Sequence, residues 1–464
     1  MIFSSFEFFV FFALLLGLLA VCPLRFRSHL LLIASWWFYA AWDVRFLLLI
    51  FFVSAVGYVC GLGIWAHRHS KERSLRNLWL GVASMLIVLG YFKYTNFFID
   101  SLAPLLHVET VGWHQNIILP VGLSFFTFQV ISYLVDVYRQ EIEPSRSMRE
   151  FCLYVAFFPQ LVAGPIVRAR DFLPQLQHHV GLNYEYMYLG AQIFALGFVQ
   201  KIFFADRLSD FVDPVFASPA SFDAVSLWLA LLAYSVQIFC DFSGYSHMAI
   251  GIALILGFRL PENFRMPYLS TSIAEFWRRW HISLSSWLRD YLYIPLGGSR
   301  CSLPKVYMNL MITMLLGGLW HGASWNFVLW GGLHGVALAA HRAWRSAGLS
   351  LPWWMAWPLC FLFVVLTWVP FRSPDFSSTM QFYAGLVVPG GLQWLAPQVM
   401  VLLLVVALVH MVMAFRQEWI SEWHPDWPRT FSSQLWHGVA WFWVVMLLLI
   451  WAPLNSSPFI YFQF

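Results

Sequence analysis

Apolar stretches about as long as a bilayer is thick recur from end to end of this chain, and they leave it few ways to fold. They cover residues 29–66, 78–99, 117–136, 184–205, 224–258 and 306–341, then recur near 353–371, 397–415 and 434–452. A helix of about 20 apolar residues crosses the hydrocarbon core. Of the 464 residues 60% are hydrophobic and only 11% are charged, against about 25% charged in soluble domains. A string of soluble domains joined by polar linkers is excluded. The 26 Trp and 45 Phe suit bilayer interfaces, where aromatic rings collect. A net charge of +4 fits cytoplasmic loops and gives no surface for nucleic acid.

Loop charge orients the spans, because Lys and Arg gather on the cytoplasmic side. The first stretch, residues 1–22, has Glu7 but no preceding basic residue, so it reads as a retained helix and not a cleaved signal peptide. Arg25 and Arg27 then place the next loop inside and the N-terminus outside. Residues 29–66 end at a second basic loop, which forces a hairpin turning near Trp42 and Asp43. The run Phe151 to Ala163 has basic residues on both sides; it is too short to cross and reads as re-entrant. Residues 306–341 start and end on the same side, either as a hairpin or as a dip. The reading is one all-α polytopic membrane domain over 1–464, with about 10–12 transmembrane helices plus re-entrant segments. By this count both termini lie outside. No internal repeat is visible, which counts against a repeat-built transporter.

Ionisable groups inside membrane segments are costly and mark candidate sites. His321, in the Gly-rich run Gly317-Gly318-Leu319-Trp320-His321-Gly322, is 16 residues from Lys305 and 21 from Arg342. On a helix that is roughly 24 Å from the cytoplasmic surface. A core histidine bonded to a backbone carbonyl is the bland alternative. The segment from Ala274 to Ser285, with Trp277, Arg278, Arg279, Trp280 and His281, reads as an amphipathic interfacial helix. That accounts for its Trp/Arg mixture better than for His281. Two imidazoles would allow one to act as base and the other to orient a substrate. Asp241 and His247 interrupt the apolar run 224–258 and read as a helix-breaking polar network. His334 is a second candidate imidazole or a packed core residue. The six cysteines show no CxxC spacing and the histidines no HxxxH or HExxH spacing, so neither a disulfide framework nor a metal site is expected.

Three runs resemble the membrane-bound O-acyltransferase family. They are Asp241-Phe242-Ser243-Gly244-Tyr245-Ser246, Phe276-Trp277-Arg278-Arg279-Trp280-His281-Ile282-Ser283-Leu284, and Gly317-Gly318-Leu319-Trp320-His321-Gly322. Phe157 to Ile166 looks like the family's re-entrant element. The likeness is greatest to the bacterial branch with alginate O-acetyltransferases and teichoic-acid D-alanyltransferases, and it covers nearly the whole chain. It implies a multi-pass protein of a bacterial inner membrane, whose outside termini are then periplasmic, built as a ring of helices around a central funnel. It also implies His321 as catalytic histidine and His281 as the second active-site histidine. The tail 459–464, Phe459-Ile460-Tyr461-Phe462-Gln463-Phe464, looks like the C-terminal motif of a partner peptide in teichoic-acid D-alanylation. Tyr461 is thereby implied as an acyl relay; an aromatic interfacial anchor is the alternative.

The expected activity is passage of acetyl from a cytoplasmic donor, acetyl-CoA, towards a secreted exopolysaccharide such as alginate or cellulose. No bound cofactor is expected beyond that donor substrate. Arg278, Arg279 and Arg289 are candidates for its phosphates, or else topology anchors. The expected partners are the lipid bilayer, periplasmic acetyltransferases and an exopolysaccharide synthesis and export complex. An acyl or lipid transporter without catalysis and a scaffold subunit of an exporter remain as rival readings.

Overall fold

The computed structural model describes residues 1–107, 114–161, 164–177, 181–388 and 390–416. The span expected near 434–452 and the tail with Tyr461 lie outside them. The described residues are helical, with no strand among them beyond one isolated bridge between Phe222 and Leu392. Among the described residues five helices are long and apolar enough to cross a membrane: Phe46–Ala66, Lys71–Ala103, Tyr184–Ala217, Ala224–Ile255 and Trp353–Arg372. Three shorter apolar helices, Phe6–Val21, Leu123–Tyr138 and Pro397–Val412, accompany them. The protein is an all-α polytopic membrane protein.

Two compact units divide the chain, the first made of Met1–Ala191 with Ala249–Pro261. Its hairpin forms where the charges require it: helix Leu24–Ala40 ends just before Trp42 and helix Phe46–Ala66 begins just after Asp43. The re-entrant run is two short helices, Met148–Ala156 and Phe158–Leu161, interrupted at Phe157. Both are buried. Phe157 packs on Phe258 with ring centroids 4.9 Å apart, and Phe158 on Phe38 at 5.3 Å. Gly57 and Gly61 let rings lie on the helix backbone, since a Cβ there would stand 2.9 Å from Phe151 and 2.7 Å from Tyr133.

The second unit, Gln192–Met248 with Glu262–Phe464, contains both candidate histidines. Most of its part of helix Ala224–Ile255 is buried, polar residues included. This helix corrects one expectation: Asp241, Ser243, Gly244 and His247 do not break it, and it runs unbroken for 32 residues. The reason is side-chain pairing. Asp241 meets the Lys201 ammonium at 2.6 Å, and His247 Nδ1 donates to Gln200 Oε1 at 2.7 Å. With partners supplied from residues 200–201, Asp241 and His247 make no demand on their own backbone. Gly197 and Gly244 set that approach. A Cβ on either would stand 2.4–2.7 Å from the other's carbonyl oxygen.

Candidate active site

Residues 303–346 form a helical hairpin with His321 at its turn. Helix Leu303–His321 ends there because Gly322 turns extended, with φ −158° and ψ 150°. Helix Trp325–Ser346 then returns. The two helices touch backbone to backbone. A Cβ on Gly318 would lie 2.2 Å from the Phe327 carbonyl oxygen, and one on Gly331 2.3 Å from that of Met314. Only residues without a Cβ permit this approach. It brings Trp330, on the returning helix, to 5.1 Å from the His321 ring. Trp320 at 5.1 Å and Phe371 at 5.3 Å complete an aromatic collar. His321 is buried, 3% exposed.

The amphipathic segment is two short helices and not one, Ile273–Arg279 and Ile282–Leu288, broken at Trp280 and His281. Ser272 caps the first, accepting from the Glu275 N–H at 3.2 Å. The break has a specific cause. Segment 263–265 takes up groups that a continuous helix would use itself. The Ile282 N–H donates to the Asn263 carbonyl at 3.0 Å, and the Arg279 carbonyl accepts from the Arg265 N–H at 2.8 Å. Asn263 Oδ1 accepts from the Ser283 N–H at 3.2 Å and from its hydroxyl at 2.9 Å. Asn263 Nδ2 in turn donates to Ser246 Oγ at 3.1 Å, which ties the break to the long central helix.

His281 takes a left-handed conformation, φ +43° and ψ 56°, uncommon for a residue with a β-carbon. This turns its ring inward and removes it wholly from the surface. It lies edge-on to Phe242 at 4.6 Å, 5.8 Å from Trp320 and 6.3 Å from His321, centroid to centroid. Neither ring nitrogen has a hydrogen-bond partner among the described residues. Leaving a buried polar group unmatched costs about 1–3 kcal/mol, and such exceptions collect at functional sites.

The other candidates separate cleanly. His334 is fully buried: the Thr367 hydroxyl donates to the Val364 carbonyl at 2.7 Å, so it accepts from His334 Nε2–H at 3.1 Å, while Nδ1 has no partner among the described residues. Trp330 and Trp277 enclose the His334 ring at 4.7 and 5.2 Å. Among the arginines, Arg279 is 2.7 Å from Glu275 and Arg289 is 2.6 Å from Asp290. Arg278 is exposed and borders a cavity. Tyr461 is outside the described residues.

Two residues of this region carry no role in the sequence reading. Lys201 is buried between Asp206 at 2.7 Å and Asp241 at 2.6 Å, in a π-helical stretch, Gln200–Ala205. Its signal was present, since a lysine inside an apolar span marks a polar site. Asn263 had no such signal. An asparagine in a loop is ordinary, and its two side-chain partners, Ser246 and Ser283, are 17 and 20 residues away.

The family description "MBOAT, membrane-bound O-acyltransferase family" matches residues 31–358, a range that holds both facing histidines. The chain belongs to the membrane-bound O-acyltransferase family. It is 46% identical over 394 residues to the "Probable alginate O-acetylase AlgI" of Azotobacter vinelandii, covering 83% of this chain and 78% of that one. It is 39% identical to the peptidoglycan O-acetyltransferase of Helicobacter pylori, over 77% of this chain and 73% of the relative. Similarity extends, at 25% identity, to the teichoic acid D-alanyltransferase of Bacillus subtilis, over 55% and 67%. This membrane-bound O-acyltransferase thus has relatives named for transfer to three different cell-surface polymers.

Proposed function

We propose that this O-acyltransferase passes an acetyl group from a cytoplasmic thioester, acetyl-CoA, across the inner membrane for O-acetylation of a secreted exopolysaccharide such as alginate or cellulose. One observation carries the assignment of roles: the buried, unmatched His281 ring beside His321. On this reading His321 is the general base. The acceptor hydroxyl oxygen bonds to the acetyl carbonyl carbon, and the carbon–sulfur bond breaks. The hydroxyl proton passes to His321 and then to the departing sulfur. His281 holds the thioester by a ring nitrogen, which supplies the missing hydrogen-bond partner. Arg279 and Arg289 exchange Glu275 and Asp290 for the phosphates of the arriving donor at the cytoplasmic mouth. The Tyr461 phenol is the first acceptor, and a periplasmic acetyltransferase takes the group from it within an exopolysaccharide synthesis and export complex. The relatives named for alginate and peptidoglycan acetylation support the acetyl group and the extracytoplasmic polymer.

The experiment is vectorial. Purified protein is reconstituted in vesicles, and acetyl-labelled acetyl-CoA is supplied only on the side of the basic loops. Label should appear as an alkali-labile ester on the protein, or on acceptor supplied to the opposite side. Free CoA released without any ester, or no consumption of donor, would reject acetyl-CoA as the donor.

A further inference from the structure

The cavity that Arg278 borders, about 650 Å³, opens in the same unit between the end of helix Trp325–Ser346, the start of helix Trp353–Arg372 and residues 271–278. Arg278, His341 and Arg345 line it. Among the described residues no ion pair engages Arg278 or Arg345. Their neighbours are committed elsewhere, with Arg279 on Glu275 at 2.7 Å and Arg342 on Ser299 Oγ at 3.1 Å. The one carboxylate on the wall, Glu275, is already occupied. It accepts from the Thr271 N–H at 2.9 Å and hydroxyl at 2.8 Å as well as pairing with Arg279. The cavity therefore carries uncompensated positive charge.

Apart from Thr271, Ser272 and Ser350, its other walls are apolar. Leu359 and Phe363 run along one side, one helical turn apart, and Leu359 is 55% exposed. Trp344 and Trp353 flank the opening with 43% and 73% of their surfaces exposed. Exposed indoles beside arginines mark the depth of lipid headgroups. The basic residues around the cavity assign this end of the unit to the cytoplasmic leaflet, where anionic lipids concentrate. A soluble anion would use only the guanidinium groups. A phosphate ester with an attached hydrocarbon chain uses both the guanidinium groups and the wall of Leu359 and Phe363.

We propose that this cavity is a binding site for an anionic phospholipid, its phosphate between Arg278 and Arg345 and an acyl chain along Leu359 and Phe363. The chemistry at the arginines, a phosphate ester, is shared with soluble nucleotide phosphates; the apolar wall selects the lipid. The test uses the full-length protein in detergent, stripped of lipid, with native mass spectrometry to count bound phosphatidylglycerol, phosphatidylcholine or adenosine 3′,5′-bisphosphate. The wild-type protein should retain one phosphatidylglycerol in preference to phosphatidylcholine, and this preference should weaken as salt is raised. Arg345→Gln should weaken it about fivefold, and Arg278→Gln with Arg345→Gln about 25-fold, at about one charge contact each. Arg345→Lys should restore it. Equal retention of both lipids by the wild type, a requirement for no variant, would overturn the proposal. So would an unchanged preference in the double variant, or displacement of phosphatidylglycerol by equimolar adenosine bisphosphate, which would assign the cavity to a soluble phosphate ester.

Discussion

The His281 and His321 rings lie 6.3 Å apart, inclined by 54°, with Trp320 against both. They reach this position by unrelated routes. One is the end of a membrane helix at a glycine turn; the other is a left-handed break between two short helices. His321→Ala should lower polymer acetylation by about 10²–10⁴-fold, the range for loss of a general base. The variant should still accumulate in the membrane. On the proposed mechanism His281→Ala removes the group that holds the thioester, so it should raise the donor concentration needed for half-maximal rate more than His321→Ala does. The measurement is released acetate ester at equal protein level. Near-normal esterification by a well-expressed His321→Ala would remove that residue from the mechanism.

The hairpin depends on glycines, and two neighbouring positions separate packing from chemistry. Gly318→Ala puts a methyl group into the Phe327 carbonyl, whereas at Gly332 the nearest atom to a new Cβ is Leu315 Cδ2 at 3.6 Å, an ordinary contact. Gly318→Ala should cost about 1–3 kcal/mol, as overpacking does, and should lower both thermal stability in detergent and activity by displacing the turn that carries His321. Gly332→Ala should be close to neutral on both. Thermal melts of the two variants decide it.

Asn263 is a positioning residue, acting through His281 and Ser283. Asn263→Ala removes the two bonds to Ser283 and the one to Ser246, at about 1 kcal/mol each. His281 then relaxes from its strained backbone conformation, and the concentration of donor at half-maximal rate should rise. Ser246→Ala deletes only one of the three contacts and should be mild. If both variants shift donor dependence equally, Asn263 is merely packing.

Lys201 sits between two carboxylates, so its removal leaves two negative charges buried together. Lys201→Met should destabilise by about 3–5 kcal/mol, the range for breaking a buried ion pair by removing one partner, and should be seen as loss of folded protein in detergent. Asp241→Asn leaves the Lys201–Asp206 pair and should be milder. Lys201→Met combined with Asp241→Asn should recover part of the loss. A double variant less stable than Lys201→Met alone would contradict the charge argument.

The sequence was legible where one local rule decides. Span length fixed the helices, loop charge fixed the hairpin at Trp42–Asp43, and glycines beside His321 announced a close approach. It was less legible where two distant segments compete for the same backbone groups. The break at His281 is invisible in the pattern from Ala274 to Ser285, because Asn263 and Arg265 cause it from outside. The polar group around Asp241 suggested a broken helix for a similar reason: its partners, Lys201 and Gln200, are about 40 residues earlier and can be matched only once the helices are packed.

Tyr461 offers the sharpest separation of relay from anchor. About ten residues follow the last expected span, and an extended chain covers ~3.3 Å per residue, so the tail reaches about 30 Å. On the proposed topology that reach lets Tyr461 fold back towards His321. A phenol with a pKa near 10 gives an ester more reactive than that of an alkyl alcohol, which suits onward transfer to a sugar hydroxyl. Tyr461→Phe keeps the ring and removes only the hydroxyl. The relay predicts loss of polymer acetylation with donor binding intact, and labelled acetyl on the wild-type tail that is absent from the variant. An interfacial anchor predicts a near-normal variant. Full polymer acetylation by Tyr461→Phe would leave direct transfer at His321 from donor to polymer hydroxyl.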